Sequence, residues 1–445
     1  MDSLQGKTVL IIGLKRTGVS VARFVARAGG RVRITDRQAR AKLEAEVASL
    51  AGLPIELSVG TEDPACLAGV DLVVPSPGVP RHAPLLAAAV RQGIQVCSEI
   101  ELAYRFLRCP LLAVTGTNGK STTTTLLGDM LRRGGQRVFV GGNLGTPLIE
   151  AAMAEYDVAV AEVSSFQLEW VDRVRPHVGV WLNLTEDHLD RHGSFAAYGA
   201  AKRALFTQQQ PTDWAVINRD DPAVQRFTQG LPGRVFSFGW TAVREGAWID
   251  GCCLRVRYAS REMRYPLSNI RLHGRHNYEN IMAAVSAATV WGIPQEVIKA
   301  VLPAFAGLPH RLEFVARKQG VCYFDDSKGT NVGAVVQSLA SFPGRVILLA
   351  GGMDKGGDYS PLRPLVRERV KTLILFGQAK EKIRAALARD VETILVDTLP
   401  EAVQQAAAIA REGDTVLLSP ACASFDQFRD YHHRGQVFRA CVEEL

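Results

Sequence analysis

Leu111-Leu112-Ala113-Val114-Thr115-Gly116-Thr117-Asn118-Gly119-Lys120-Ser121 passes from an apolar run into a glycine-rich turn, and a helix-like run follows over 122–133. Strand, turn, lysine–hydroxyl pair and helix is the arrangement that cradles a nucleoside triphosphate. Backbone N–H groups of the turn and of the helix N-terminus face the phosphate oxygens. The lysine adds a point charge, and the Ser121 hydroxyl suits Mg²⁺. The longer G-x-x-x-x-G-K-[ST] pattern would put its first glycine at Val114, so this is a tighter G-T-N-G-K-S variant. An ordinary glycine turn has no need of Lys120-Ser121 and the four threonines behind them.

Outward from this loop, short apolar runs alternate with helical periodicity. The runs expected as strands are 9–12, 32–35, 72–74, 111–115, 158–163, 178–182, 346–350, 373–376 and 416–419. Helices are expected between them, as at 19–27, 195–206, 278–291 and 401–411. Continuous apolar strands alternating with helices predict parallel sheets covered on both faces. The stretch 247–256 departs from this, with a hairpin turn expected at Asp250-Gly251, and reads as a small antiparallel insert. With 445 residues the chain exceeds one hydrophobic core, and about three domains are expected at ~150 residues each. Breaks at 97–101 and 306–309 divide it into 1–98, 99–307 and 308–445.

The chain is 47% hydrophobic and 22% charged, with a formal charge of +7. Its basic residues are scattered, which fits a small anionic ligand better than nucleic acid. Eight cysteines, at 66, 97, 109, 252, 253, 322, 422 and 441, form no C-x-x-C and no zinc spacing with histidine. Free thiols in mostly apolar runs predict a reducing compartment. The polar N-terminus has no signal-peptide pattern, and no apolar run approaches the ~20 residues of a membrane span. A cytoplasmic protein is expected.

Several strand ends carry chemistry. Gly13-Leu14-Lys15-Arg16-Thr17-Gly18 with Asp36 at the next strand end resembles a dinucleotide fingerprint. Lys15 replaces the glycine that would let a pyrophosphate approach, which argues against NAD. Glu162 ends the strand beside the phosphate loop, where a carboxylate is well placed for Mg²⁺. His188 lies just beyond another strand end, within Asn183-Leu184-Thr185-Glu186-Asp187-His188. Lys202, on the following helix, reads by spacing as a solvated lysine. Asn277 and Asn280 share a helix face; capping accounts for Asn277 and leaves Asn280 unexplained. Three later strands end in polar turns: Asp325-Asp326-Ser327-Lys328-Gly329-Thr330-Asn331, Gly351-Gly352-Met353-Asp354-Lys355, and Ala421-Cys422-Ala423-Ser424-Phe425-Asp426. They are expected to share one crevice rim.

In this order the T-G-T-N-G-K-S-T loop, E-V-S-S-F-Q, N-L-T-E-D-H-L-D, G-R-H-N-Y-E-N, G-L-P-H-R-L-E, D-S-K and G-G-M-D-K segments resemble the Mur ligase family almost end to end. The third-domain turns resemble its D-glutamate-adding members. The resemblance implies an α/β fold of three domains: a Rossmann-like UDP-sugar domain, a P-loop ATPase domain with a mostly parallel sheet plus a small antiparallel insert, and a Rossmann-like C-terminal domain. It implies ATP and Mg²⁺ as cofactors, with UDP-N-acetylmuramoyl-L-alanine and D-glutamate as substrates of a monomer. Arg16, Thr17, Asp36, Arg37, Gly78 and Asn143 would surround the UDP-sugar. Gly116, Thr117, Asn118, Gly119, Lys120, Ser121, Thr122, Asn277, Asn280, Arg311, Asp326 and Lys328 would hold ATP. Ser121, Glu162, His188 and a carbamylated Lys202 would serve the metal, with Lys120, His188 and Lys202 catalytic. Thr330, Lys355, Ser424, Phe425 and Tyr431 would receive D-glutamate. The rival readings are a sister ligase with another acceptor, a dehydrogenase using the first turn, and a non-catalytic nucleotide switch.

Overall fold

Val9, Leu10, Ile11 and Ile12 are all buried, so the first strand, Thr8–Ile12, is covered on both faces. That is the burial a parallel sheet imposes. A computed structural model describes residues 3–272, 274–342, 344–354 and 356–445. The first sheet is parallel throughout, in the spatial order Ile55–Val59, Arg31–Asp36, Thr8–Ile12, Leu72–Pro75, Gln95–Val96. Strand order reverses between Thr8–Ile12 and Leu72–Pro75, so the Gly13 turn and the Ser76 turn share one end of the sheet.

The central sheet has nine strands. Its parallel part runs Val138–Gly142, Val158–Glu162, Leu111–Thr115, Val178–Trp181, Trp214–Asn218, Arg234–Gly239 and Gly246–Asp250. Cys253–Tyr258 and Arg261–Pro266 continue it antiparallel. The expected insert is therefore an extension of the sheet itself. Asp250 pairs with Cys253, so the turn residues are Gly251-Cys252, one position beyond the expected Asp250-Gly251. The third sheet runs Glu313–Lys318, Val321–Asp325, Thr415–Leu418, Val346–Gly351, Val370–Phe376, Glu392–Leu395, with only the first pair antiparallel.

Every strand expected from the sequence is present, eight of the nine within one residue at each end; the ninth, expected over 373–376, begins three residues earlier as Val370–Phe376. Strands such as Trp214–Asn218 and the alternating, half-exposed Ile55–Val59 are additions. The three sheets lie in two compact units. One holds the chain up to Asn269 with Asn280–Leu302, and the other holds Ile270–Glu279 with Pro303–Leu445. Within the first unit one apolar cluster joins Val9, Ile11 and Phe24 to Ala113, Ala161 and Trp181. The helix Glu99–Phe106 bridges these sheets, burying Ile100, Leu102 and Ala103, with Phe106 edge-on to Phe24 at 5.1 Å.

Candidate active site

The loop 116–119 follows the Leu111–Thr115 strand, whose neighbours are Val158–Glu162 on one side and Val178–Trp181 on the other. A crevice at such a switch point, outside the carboxyl ends, is where α/β sheets bind ligands. Gly119 caps the helix Lys120–Arg133 at φ +83°. A Cβ there would stand 2.0 Å from Asn280 Oδ1, so only glycine lets the turn pass this side chain. Asn280 thereby gains the role that capping did not explain. Asn277 is the third residue of the helix Arg275–Trp291 and not its cap, which corrects the expectation from sequence.

Asn183, on the next strand's exit, holds the loop open. Its Oδ1 accepts from the N–H groups of Thr117 (3.1 Å) and Asn118 (2.8 Å), and its Nδ2 donates to the Asn118 carbonyl at 3.1 Å. The Thr117 hydroxyl lies 3.2 Å from the buried Tyr198 hydroxyl. These contacts freeze the turn ahead of the helix N-terminus, whose N–H groups and partial positive charge attract an anion.

Two amines converge on this loop. Lys120 Nζ donates to the carbonyls of Gly116 (2.9 Å) and Thr117 (2.7 Å). Lys202 Nζ donates to the same Gly116 carbonyl at 2.8 Å and sits 4.6 Å from the Tyr198 ring. Lys202 is 1% exposed, so the solvated reading from spacing fails. Burial first, and the Lys120 charge second, hold its amine well below the ordinary lysine value; Asp187 and Glu162 oppose this.

The carboxylate Glu162 is buried at the end of its strand. One oxygen accepts from Asn143 Nδ2 at 2.7 Å, and the other accepts from the Ser121 hydroxyl. Hydroxyl and carboxylate oxygens side by side form a hard-oxygen donor set of the kind Mg²⁺ prefers. His188 adopts a left-handed φ of +54° at the start of the helix Leu189–His192, its Nε2 3.6 Å from Asp187 and its ring against Phe166 at 4.7 Å. Thr122 is buried on the same helix as Ser121.

At the first sheet's switch point Arg16 opens a helix and donates to the Gly145 carbonyl at 2.8 Å. Thr17 follows it, and Arg37 is exposed. Asp36 accepts from Leu14 N–H at 2.7 Å and Gln38 N–H at 2.8 Å, so it shapes the turn. The Gly78 carbonyl accepts from Arg191 at 3.4 Å.

In the second unit three adjacent strands, Val321–Asp325, Thr415–Leu418 and Val346–Gly351, end at one edge, as their polar turns led us to expect. The turns are bonded together. Ala421 N–H donates to the Gly329 carbonyl at 2.9 Å, and Met353 pairs with Ala423. Asp326 accepts from Ser338 (2.6 Å) and Ser419 (2.7 Å), and burial pushes its carboxyl up to about 6. Lys328 lies 3.8 Å from the Tyr431 ring, and Arg311 is close enough to favour an ionised Asp326. Ser424 is buried, Phe425 is 67% exposed, and Thr330 is half-buried. Lys355 lies outside the described residues.

Two residues that sequence reasoning passed over build this edge. His310 Nδ1 meets Asp325 at 2.6 Å, and its carbonyl accepts from Lys328 N–H at 3.1 Å. The helix Tyr431–Glu443 packs so close that a Cβ on Gly435 would stand 2.1 Å from His310 Nδ1. Arg434, fully buried, donates to the carbonyls of Ser327 (2.8 Å), Cys422 (3.2 Å) and Ala423 (3.2 Å) and to the Ser327 hydroxyl (3.0 Å). It staples the 326–328 turn to the 421–424 turn. No spacing in the sequence marks it.

The Mur ligase MurD-like N-terminal domain matches residues 7–98, the Mur ligase middle domain 114–288, and the Mur ligase glutamate ligase domain 310–422. A UDP-N-acetylmuramoylalanine–D-glutamate ligase of Geobacter metallireducens is 47% identical over 99% of this chain and 98% of the relative. One of Syntrophotalea carbinolica is 46% identical over 100% and 99%. The fold is also that of a MurF ligase from Thermotoga maritima solved with ADP, at TM-score 0.63 and 16% identity over 99% of this chain and 96% of that one.

Proposed function

Because this chain belongs to the Mur ligase family, we propose that it is an ATP-dependent amide ligase joining D-glutamate to UDP-N-acetylmuramoyl-L-alanine in the cytoplasmic assembly of peptidoglycan precursors for the cell wall. The observation that carries the chemistry is the Ser121–Glu162 pair beside two lysines that both donate to the carbonyls of one glycine-rich loop. The relatives' activity supplies the substrates.

In this reading the L-alanyl carboxylate attacks the γ-phosphate of ATP, the bond to the β-phosphate oxygen breaks, and ADP leaves an acyl phosphate. The amine of D-glutamate adds to the acyl carbon, and the tetrahedral intermediate collapses with loss of phosphate and a proton. Lys120 and the helix N-terminus balance the charge that spreads over the transferring phosphoryl oxygens. Ser121, Glu162 and His188 would hold Mg²⁺, which supplies further neutralisation of that charge. Lys202, whose amine burial holds well below the ordinary lysine value, would add to CO₂: an N–C bond forms as one C–O π bond opens, a proton leaves, and a carbamate oxygen would be available to the metal. Asn143, with Arg16, Thr17, Asp36, Arg37 and Gly78, receives the UDP-sugar. Asn277, Asn280, Arg311, Asp326 and Lys328 receive the nucleotide, and Thr330, Lys355, Ser424, Phe425 and Tyr431 receive D-glutamate. The functional domains are 1–98, 99–307 and 308–445. Among the described residues no helix is long and apolar enough to cross a membrane, and the enzyme acts as a monomer on soluble substrates.

The test is phosphate release with Mg-ATP and UDP-N-acetylmuramoyl-L-alanine, comparing D-glutamate, L-glutamate, L-alanine and lysine. Release with a mass-confirmed amide only for D-glutamate is expected. Turnover with another amino acid would reassign the acceptor, and none with any would remove the ligase reading.

A further inference from the structure

The helix Leu189–His192, which His188 opens, is a single turn of four residues. A turn that short has no stability of its own and depends on what its side chains grip. Arg191 is its chief anchor. Its Nε donates to Glu169 Oε1 at 2.9 Å and its Nη2 to Glu169 Oε2 at 2.8 Å, a two-point fork. The pair is sheltered, with side chains 10% and 7% exposed. On its other side the same guanidinium donates to the carbonyls of Val79 at 2.8 Å and Gly78 at 3.4 Å. Its plane meets the Phe166 ring at 4.7 Å, and that ring meets His188 at 4.7 Å.

These partners come from separate parts of the chain. Gly78 and Val79 lie in the turn after Leu72–Pro75, where Ser76 Oγ donates to the Gly13 carbonyl at 2.8 Å. That turn is therefore bonded to the Gly13 turn at the first sheet's switch point. Phe166 and Glu169 follow the strand that ends in Glu162. Their segment also grips the first sheet directly: Trp170 packs on the cluster of Leu10, Ile12 and Leu86, and its carbonyl accepts from Ser98 N–H at 2.9 Å. His192 Nε2 meets Ser165 Oγ at 3.0 Å, a second hold on the short helix that leaves the 76–80 turn alone. One side chain thus joins the first sheet's turn to the helix of His188. A lysine could neutralise Glu169, but only the planar fork reaches the carboxylate and two carbonyls at once.

We infer that Arg191 is a positioning residue for the ligase reaction, holding His188 in register with the 76–80 turn. The inference rests on the proposed function, in which Gly78 borders the UDP-sugar and His188 serves its reacting end. Binding energy at one end of a substrate raises the rate only when the other end meets groups already in place. A ligand on the turn fixes the Gly78 and Val79 carbonyls. Arg191 is then held harder, and the His188 helix opens less often.

The test uses UDP as probe and the full chain as parent, Arg191→Met, Arg191→Lys and the double variant Arg191→Met/Glu169→Leu. The double variant removes both charges, so a buried carboxylate left alone cannot account for its behaviour. Hydrogen–deuterium exchange reads the amides of 191–193, which bond to the carbonyls of His188 and Leu189. In the parent, UDP should slow exchange at 76–81 and at 191–193. In both Met variants it should slow 76–81 alone, with exchange at 191–193 about tenfold faster than in the parent, the scale of one charge-assisted hydrogen bond. With UDP-N-acetylmuramoyl-L-alanine, kcat should fall about tenfold while KM barely moves, and Arg191→Lys should lie between. No slowing at 191–193 in the parent, equal slowing there in the Met variants, or a parental kcat in the double variant would each overturn the inference. No slowing at 76–81 would remove the first-turn assignment and this inference with it; amide formation by the parent would then show whether the ligase reading itself survives.

Discussion

Lys120 keeps its hydrogen bonds to Gly116 and Thr117 inside its own turn, while its charge lies beside the buried Lys202. Lys120→Ala should therefore separate catalysis from stability. We expect phosphate release to fall by about 10²–10³-fold, the scale of one lost charge-stabilising donor. Thermal unfolding should hold or rise, because a like charge near Lys202 is gone. A fall in both would mean that the lysine is chiefly structural. Arg434 is the opposite case. Arg434→Met strips donors from the carbonyls of Ser327, Cys422 and Ala423. Buried acceptors left unpaired make this one of the costly substitutions, about 3 kcal/mol by urea unfolding. Arg434→Lys should recover only part, since an ammonium lacks the planar fork. An unchanged urea midpoint in the Met variant would sink this account.

At the scale of elements, the helix Glu99–Phe106 carries a pH-dependent weakness. Ser98 caps it, accepting from Glu101 N–H at 3.3 Å. Glu99 is buried, with one oxygen accepting from Ile149 N–H at 2.6 Å and the other without a partner. Burial first, and repulsion from Glu150 second, push its carboxyl from 4.5 up to about 7. Between those values the folded state keeps a proton that the unfolded chain has released. Stability from this group is fully present below the unfolded value and is lost as pH rises through the folded one. The loss amounts to about 3 kcal/mol at most. Urea midpoints at pH 5 and pH 8 should fall in the parent and fall less in Glu99→Gln. Asp326, pushed up to about 6, adds a slope of the same sign to both chains, so the difference isolates Glu99. Equal slopes would mean that Glu99 is ionised in the folded protein.

For the whole molecule, two units with separate cores predict that unfolding is not a single two-state event. Calorimetry should resolve at least two components. Mg-ADP at ~100-fold its Kd should raise the component of the first unit, which bears the phosphate loop, by about 2.7 kcal/mol. One sharp transition with equal calorimetric and van't Hoff enthalpies would show that the units unfold together.

Local order along the chain was enough to read the phosphate loop, the βα alternation, and the polar turns that end three adjacent strands. Each of these depends on neighbours a few residues away: Lys120 and Ser121 follow Gly119, and Asp326 follows its strand directly. The ordered motifs likewise carried the family. Folding was needed to bring Lys202 to the Gly116 carbonyl across 86 residues, which turns a lysine that reads as solvated into a buried amine. It was needed to set Asn183 on the loop 65 residues earlier, and Arg434 between turns that include Ser327, 107 residues back. Burial and these distant hydrogen bonds are properties of packed sheets and helices, and no periodicity or spacing encodes them. The fold class and the loop's chemistry thus come from local pattern, whereas the burial of Lys202 and the shape of both strand-end sites come from packing.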